Sequence, residues 1–143
     1  MLWSAVSALG AALGGSSAKA ATEAGTGNKL KVVYHLSDAE KVNFVLGNIQ
    51  NHIDRVGGPQ HVTIALVIHG PALKAFHRAQ ANPDVGKRVG DFRGGIELAA
   101  CANTMKAQNV TLTGLLPGFV SAEKGGVVRL AELQSQGYLY LRP

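Results

Sequence analysis

Cysteine, aromatic residues and charge are all scarce in this chain of 143 residues. Cys101 is the only cysteine, so no disulfide can form within the chain and a disulfide-stabilised scaffold is excluded. Charged residues make up 16% of the sequence and hydrophobic residues 46%, a balance that excludes an intrinsically disordered chain. No hydrophobic run reaches the roughly 18 residues that a transmembrane helix needs, so we expect no stable membrane anchor.

Acidic residues are scarcer than basic ones, with 9 Asp and Glu against 14 Lys and Arg, which gives a net charge of +5. The basic excess is scattered along the chain, and aromatic residues make up only 6% of it. Nucleic-acid-binding surfaces usually gather basic side chains on one face, with aromatic side chains between them. We therefore expect no nucleic-acid partner. The length suits a single domain.

Residues 1–28 differ in composition from the rest of the chain. An apolar stretch from Leu2 to Leu13 precedes small residues and the A-x-A pattern Ala18-Lys19-Ala20. This arrangement is typical of a secretory signal peptide, although no Lys or Arg precedes the apolar stretch. We predict a signal peptide and flexible leader over 1–28, one folded domain over 29–143, and a periplasmic or secreted location. If the leader is not a signal, we expect a cytoplasmic protein.

Apolar strands alternate with amphipathic helices after residue 28. Leu30–Leu36 and Val62–Ile68 are apolar and rich in β-branched residues, which is typical of strands covered on both faces of a parallel sheet. Apolar residues recur at helical spacing over Val42–Val56, which predicts a helix there. The further predicted elements are a helix from Pro71 to Gln80, a helix from Asn82 to Arg93, a strand over Ile96–Cys101, a helix or turn over Asn103–Gln108, a strand at Val110–Thr113 or Phe119-Val120, a helix capped by Ser121, and a strand over Tyr138–Leu141.

This alternation predicts an α/β fold, a three-layer α/β/α sandwich with a mostly parallel sheet of about five strands. Ligand sites of such sheets lie beyond the carboxyl ends of the strands. Three predicted strands end there in His35, in His69-Gly70, and in Cys101 followed by Asn103 and Thr104. We therefore expect these side chains to share one edge of the sheet.

Cys101 is the candidate reactive group at this edge. Predicted helix N-termini after Pro71 and Asn103 would direct their positive dipole ends towards it, and Gly70 would allow a close backbone approach. A thiolate stabilised in this way is both a nucleophile and a metal ligand. Alternatively, Cys101 is an inert buried cysteine, and Asn103 and Thr104 only cap a helix. The chain contains no phosphate-binding loop, dinucleotide-binding glycine motif or zinc-protease motif, so we expect no cofactor.

Four segments of the chain together resemble the DsrE/DsrF-like family. They are KVVYHLSD at 31–38, ALVIHGPALKAF at 65–76, IELAACANTM at 96–105 and LAELQSQGYLYLRP at 130–143. The C-x-N-T turn and the LLPG segment resemble an uncharacterised small branch of that family, and the likeness extends over 29–143. It implies a three-layer α/β domain that forms homotrimers or hexamers. In the sulfur-relay members a cysteine at a strand end carries sulfur as a persulfide, so Cys101 would accept sulfur in a pocket lined by His69 and Asn103.

Three hypotheses about function follow. The first is a sulfur carrier, in sulfur oxidation or trafficking, in which Cys101 exchanges sulfur with donor and acceptor proteins and His69 or His35 orients the thiolate or moves a proton. The second is a non-catalytic module that holds a small ligand or a metal such as zinc or copper at the edge formed by His35, His69 and Cys101. The third is a structural subunit of an oligomer with no chemistry of its own. The resemblance favours the carrier.

Overall fold

The computed structural model describes residues 29–143, and the signal peptide predicted over 1–28 lies outside these residues. The strands and α-helices follow each other as β1 Leu30–Leu36, α1 Val42–Arg55, β2 Val62–Ile68, α2 Pro83–Phe92, β3 Glu97–Cys101, α3 Ala102–Ala107, β4 Phe119–Ala122, α4 Gly126–Ser135 and β5 Leu139–Leu141. Short 3-10 helices lie at Ala39–Lys41, Pro59–His61, Gly70–Phe76 and Leu112–Gly114. No helix within 29–143 is both long and apolar enough to span a membrane.

The five strands form one sheet in the order β4-β3-β2-β1-β5, and every neighbouring pair is parallel. This confirms the predicted α/β fold with a parallel sheet of about five strands. Because the strands are parallel, each connection returns the chain to the edge where the strands begin, and all five strands end at the opposite edge. That edge carries His35, His69 and Cys101, as expected from their positions in the sequence.

The two faces of the sheet are packed differently. One face carries the larger side chains of β1, β2 and β3 and is covered by α1, α2, α3 and the 3-10 helix Gly70–Phe76. The other face presents smaller side chains, including Val33, Ala65 and Ala99, and packs against Leu130 and Leu133 of α4. Helices therefore lie on both faces, as a three-layer sandwich requires, and among residues 29–143 the second helical layer consists of α4 alone.

The predicted helix from Pro71 to Gln80 is wrong in type and length. The segment forms a 3-10 helix over Gly70–Phe76, and the chain then turns away. Phe76 accepts a hydrogen bond from the Leu116 N–H, and Arg78 donates one to the Gly114 carbonyl. These backbone groups pair with a distant segment and are not available to continue a helix.

The predicted cap of the last helix is also wrong. Ser121 lies inside β4, and α4 begins at Gly126 with Gly125 as its N-cap residue. Gly125 has a φ of +99°, and a Cβ built there would lie 2.8 Å from Asn103 Nδ2. Glycine is therefore needed at this position for its conformation and for the close approach of α4 to α3. Of the two positions predicted for the strand before α4, Val110–Thr113 and Phe119-Val120, the structure has the strand at the second.

Candidate functional site

Cys101 lies where β3 ends and serves as the N-cap residue of α3. Its side chain is buried, with 5% of the residue exposed. Hydrogen-bond donors surround Sγ: the Thr104 hydroxyl and the backbone N–H groups of Asn103, Thr104 and Gly126 all act on the pKa of the thiol. Two helices thus direct their unpaired N-terminal N–H groups at one sulfur atom, since Asn103 and Thr104 belong to α3 and Gly126 begins α4.

These donors oppose the effect of burial on the pKa of the thiol. Burial raises the pKa of Cys101, but the hydrogen bonds from the Thr104 hydroxyl and from the three backbone N–H groups lower it by more. The pKa of Cys101 therefore lies below its ordinary value. A buried thiol without such donors would have a raised pKa and would be inert.

The Thr104 hydroxyl is held in place by a network that extends behind it. Its Oγ1 accepts a hydrogen bond of 2.9 Å from the Gly70 N–H, which leaves the hydroxyl proton free for Cys101 Sγ. Gly70 adopts a left-handed backbone conformation with a φ of +62°. Its carbonyl accepts from Gln108 Nε2 at 2.9 Å, and the Gln108 Oε1 lies 2.8 Å from Nε2 of buried His77. Gly70 therefore positions the Thr104 hydroxyl with its backbone.

His69 and Cys101 lie on the same face of the sheet. The register pairs Val67 with Ala99, and each of the two residues lies two positions further along its strand. A Cβ at Gly126 would lie 3.3 Å from His69 Cβ and 3.4 Å from Cys101 Cβ. The backbone at the start of α4 thus lies against both side chains, and only glycine leaves them undisturbed there.

His35 and His69 are joined side by side. Their Nε2 atoms lie 2.5 Å apart, and their rings are nearly parallel, with an interplanar angle of 15°. On its other side, His35 Nδ1 lies 2.6 Å from the Tyr140 hydroxyl on β5. The three side chains therefore form a continuous hydrogen-bonded row across β2, β1 and β5.

Both histidines favour the neutral form. Burial lowers the pKa of His35 to about 4, assisted by His69 and the positive charge of Arg142 and opposed by Asp38. Burial also lowers the pKa of His69, with the same contributions from Arg142 and Asp38. Arg142 is itself held at this edge by Ser37 Oγ at 3.1 Å and by Asp38 Oδ2 at 3.5 Å. At neutral pH each ring thus carries one N–H and one acceptor nitrogen.

A cavity of about 350 Å³ opens above the sulfur. It is lined by Cys101, His69, Asn103, Thr104 and the first residues of α4, together with the preceding Lys124. Lys124 supplies its positive charge, and the exposed side chains of Val127 and Val128 form its apolar side. The cavity suits a small anionic reactant or a narrow thiol-bearing segment.

The structure groups the residues that the sequence places at this edge. Cys101, His69, Asn103 and Thr104 line the cavity, and Gly70 contacts Thr104. His35 lies behind His69 and contributes to the hydrogen-bonded row. Among residues 29–143 of one chain, no three His, Cys, Asp or Glu side chains are arranged to hold a metal ion, so His35, His69 and Cys101 do not form such a group within a single subunit.

Several residues of this arrangement were not predicted from the sequence, among them Lys124, Gly126 and Tyr140. Gly126 donates to the sulfur, and the pair Gly125-Gly126 between β4 and α4 is a signal for a close backbone approach that could have been used. Tyr140 contacts His35, but nothing local marks it, because it lies in a short strand 105 residues away from His35. Only the pairing of β5 with β1 brings them together.

No protein-family model matches the chain, and no curated protein matches it. Among solved structures, it is similar to MTH1491 from Methanobacterium thermoautotrophicum, a protein of unknown function, with 24% identity and a TM-score of 0.68 over 80% of this chain and 100% of that one. It is also similar to the YchN protein from E. coli, with 11% identity and a TM-score of 0.56 over 81% of this chain and 100% of that one. The fold is DsrE-like. In this DsrE-like domain the sheet edge described above places a hydrogen-bonded thiol in a small cavity.

Proposed function

We propose that the protein is a sulfur carrier that accepts sulfane sulfur as a persulfide on Cys101 and passes it to an acceptor thiol. The observation that carries this proposal is the placement of the buried Cys101 thiol at the N-termini of two helices, beside a cavity, where the surrounding N–H and O–H donors lower its pKa. A cysteine kept only for packing needs no such donors. The DsrE-like fold and the C-x-N-T turn that resembles a branch of the DsrE/DsrF-like family support the same function.

The proposed chemistry consists of two thiol-exchange steps. The Cys101 thiolate attacks the outer sulfur of a donor, a new S–S bond forms, and the donor's own bond to that sulfur breaks with its electron pair leaving on the donor. In the second step an acceptor thiolate attacks the outer sulfur of the persulfide, and Cys101 leaves as a thiolate. No separate oxidant is needed, because the sulfur arrives already at the sulfane oxidation level. A carrier of this kind needs no second cysteine, and this chain has none.

The hydrogen bonds suit both steps. The N–H groups of Asn103, Thr104 and Gly126 stabilise the attacking thiolate in the first step and the leaving thiolate in the second. Lys124 at the cavity would attract an anionic donor such as polysulfide or thiosulfate. The cavity volume of about 350 Å³ admits a small donor of this kind without any movement of α4.

Sulfur loading is the experiment that tests the proposal. The purified protein is incubated with polysulfide, freed of the reagent, and weighed intact by mass spectrometry. We expect a gain of about 32 Da, the mass of one sulfur atom, that a reductant or cyanide removes. Peptide mapping should place the added sulfur on Cys101.

The matched control is Cys101→Ser, which keeps the size and hydrogen-bonding capacity of the side chain but not the nucleophile. It should fold like the wild type and load no sulfur. Equal loading of both proteins would contradict the proposal, as would a wild-type protein whose cysteine is alkylated rapidly and yet takes up no sulfur.

Assembly and location are further parts of the proposal. We propose a homo-oligomer, a trimer or a hexamer, since Val127 and Val128 expose apolar side chains at the cavity and Val120 exposes another on β4. Light scattering of the purified protein tests this, and a monomer at working concentration would contradict it. Export to the periplasm, with donor and acceptor proteins there, is tested by fractionating cells that express the full chain.

A further inference from the structure

The row formed by Tyr140, His35 and His69 connects the outside of the protein with the cavity of Cys101. Tyr140 lies on the edge strand β5 and is 42% exposed, whereas His35 is buried at 9%. His69 is bonded to His35 through Nε2, and its ring lines the cavity with Cys101. Within residues 29–143, no partner forms a hydrogen bond with His69 Nδ1. The row thus has one end in solvent, at Tyr140, and its other end, at His69, beside the cavity.

Only two arrangements of protons satisfy this row. In the first, His69 Nε2–H donates to His35 Nε2, and His35 Nδ1–H donates to the Tyr140 oxygen. In the second, the Tyr140 hydroxyl donates to His35 Nδ1, His35 Nε2–H donates to His69 Nε2, and His69 Nδ1 carries the proton. Both arrangements keep each ring neutral, and they differ by the transfer of one proton along the row.

We infer that Tyr140, His35 and His69 form a proton relay that moves a proton between solvent and the Cys101 cavity. The inference rests on the proposed function, since sulfur uptake starts from a thiol that must first lose its proton. Cys101 is only 5% exposed, and its sulfur is surrounded by hydrogen-bond donors, so a neutral histidine at the same cavity is a suitable acceptor for that proton.

The proton balance of the relay is simple. His69 Nδ1 accepts the thiol proton, directly or through one water molecule, while the proton on His69 Nε2 passes to His35 Nε2. The proton on His35 Nδ1 passes to the Tyr140 oxygen, whose own proton goes to bulk water. The row changes from the first arrangement to the second, Cys101 becomes a thiolate, and no ring becomes charged at rest. The reverse movement resets the row after sulfur has left.

The charges around the row favour such neutral transfer. Arg142 opposes a positive charge on either histidine, and Asp38, its ion-pair partner, partly offsets this effect. Burial of the rings acts in the same direction as Arg142. A histidinium is therefore disfavoured within the row, and a proton that enters at one end is released at the other.

The test uses Tyr140→Phe, which removes the outer oxygen from an exposed position, with Tyr138→Phe as the matched control. Tyr138 lies two residues earlier and packs against the core under α4, with no contact to either histidine. In nitrogen-detected NMR of the imidazole rings, Tyr140→Phe should change the tautomer signals of His69, which it does not touch, and Tyr138→Phe should not. Near neutral pH, Tyr140→Phe should load sulfur about tenfold more slowly, and added imidazole should restore the rate.

The same variant at high pH separates a relay from a merely structural role. Where Cys101 is already ionised, Tyr140→Phe should load sulfur as fast as the wild type, whereas a distorted cavity would slow it at every pH. Unchanged His69 signals together with a wild-type loading rate would overturn the relay and leave the carrier intact. If the wild type loads no sulfur, the carrier is refuted, and the relay then depends on the NMR alone: unchanged His69 signals overturn it.

Discussion

Substitution of Gly126 by alanine is the sharpest perturbation of the thiol site. The added methyl group would lie 3.3 Å from His69 Cβ and 3.4 Å from Cys101 Cβ, closer than the 3.5–4.0 Å at which carbon atoms attract each other. Overpacking of this kind costs roughly 1–3 kcal/mol, and the gain from replacing glycine in a helix is about 1 kcal/mol at most. We expect the free energy of unfolding to fall by about 1 kcal/mol.

Gly90→Ala in α2 provides the control, because a Cβ there meets no atom within 4 Å. It should raise the free energy of unfolding by about 0.5–1 kcal/mol, so the two variants should shift urea denaturation in opposite directions. In Gly126→Ala the added methyl group pushes the start of α4 away from Cys101, so the N–H of residue 126 interacts less well with the thiolate. Alkylation rates measured across pH should therefore give this variant a higher thiol pKa. A Gly126→Ala protein with wild-type stability and thiol pKa would refute the packing described at this site.

Two further variants test single contacts. Thr104→Val should raise the pKa of Cys101 in alkylation experiments, because it removes one donor to the thiolate, whereas Thr104→Ser should not. A pKa that is equal in both would contradict the role of the hydroxyl. Because the pKa of His35 is held at about 4, against 6.5 ordinarily, the folded chain should lose stability as the pH falls through this range. Because solvent partly screens the charge on the His35 ring, we expect the free energy of unfolding, measured by urea denaturation, to fall by about 2 kcal/mol. A His35→Gln protein with the same pH dependence would contradict it.

The sheet and its reactive edge could be predicted because their signals are local. β1 and β2 are mostly apolar, which is typical of strands covered on both faces, and their predicted bounds are those of the structure. Once the strands are known to be parallel, the residues that end them must share an edge. The grouping of His69 and Cys101 follows from that rule and from strand bounds alone.

The details that lower the pKa of Cys101 depend on contacts between distant segments. The N–H of Gly126 reaches the sulfur because α4 packs across the sheet, and Ser121, which has the better capping side chain, is held in β4 by pairing with β3. The 3-10 helix after His69 ends early because its backbone bonds to the segment around Leu115. Tyr140 joins His35 only through the pairing of β5 with β1. The preferences of these residues for helix, strand or turn predict none of these contacts.

Onward transfer of sulfur is the most direct test of the central claim that Cys101 is a carrier. Protein loaded with one sulfur is mixed with an excess of a small thiol such as glutathione, and both products are weighed. The account predicts that the protein loses about 32 Da, that the thiol gains the same mass as a persulfide, and that the recovered protein can be loaded again. A sulfur that stays on Cys101, or a cysteine that ends as an oxidised acid, would contradict it.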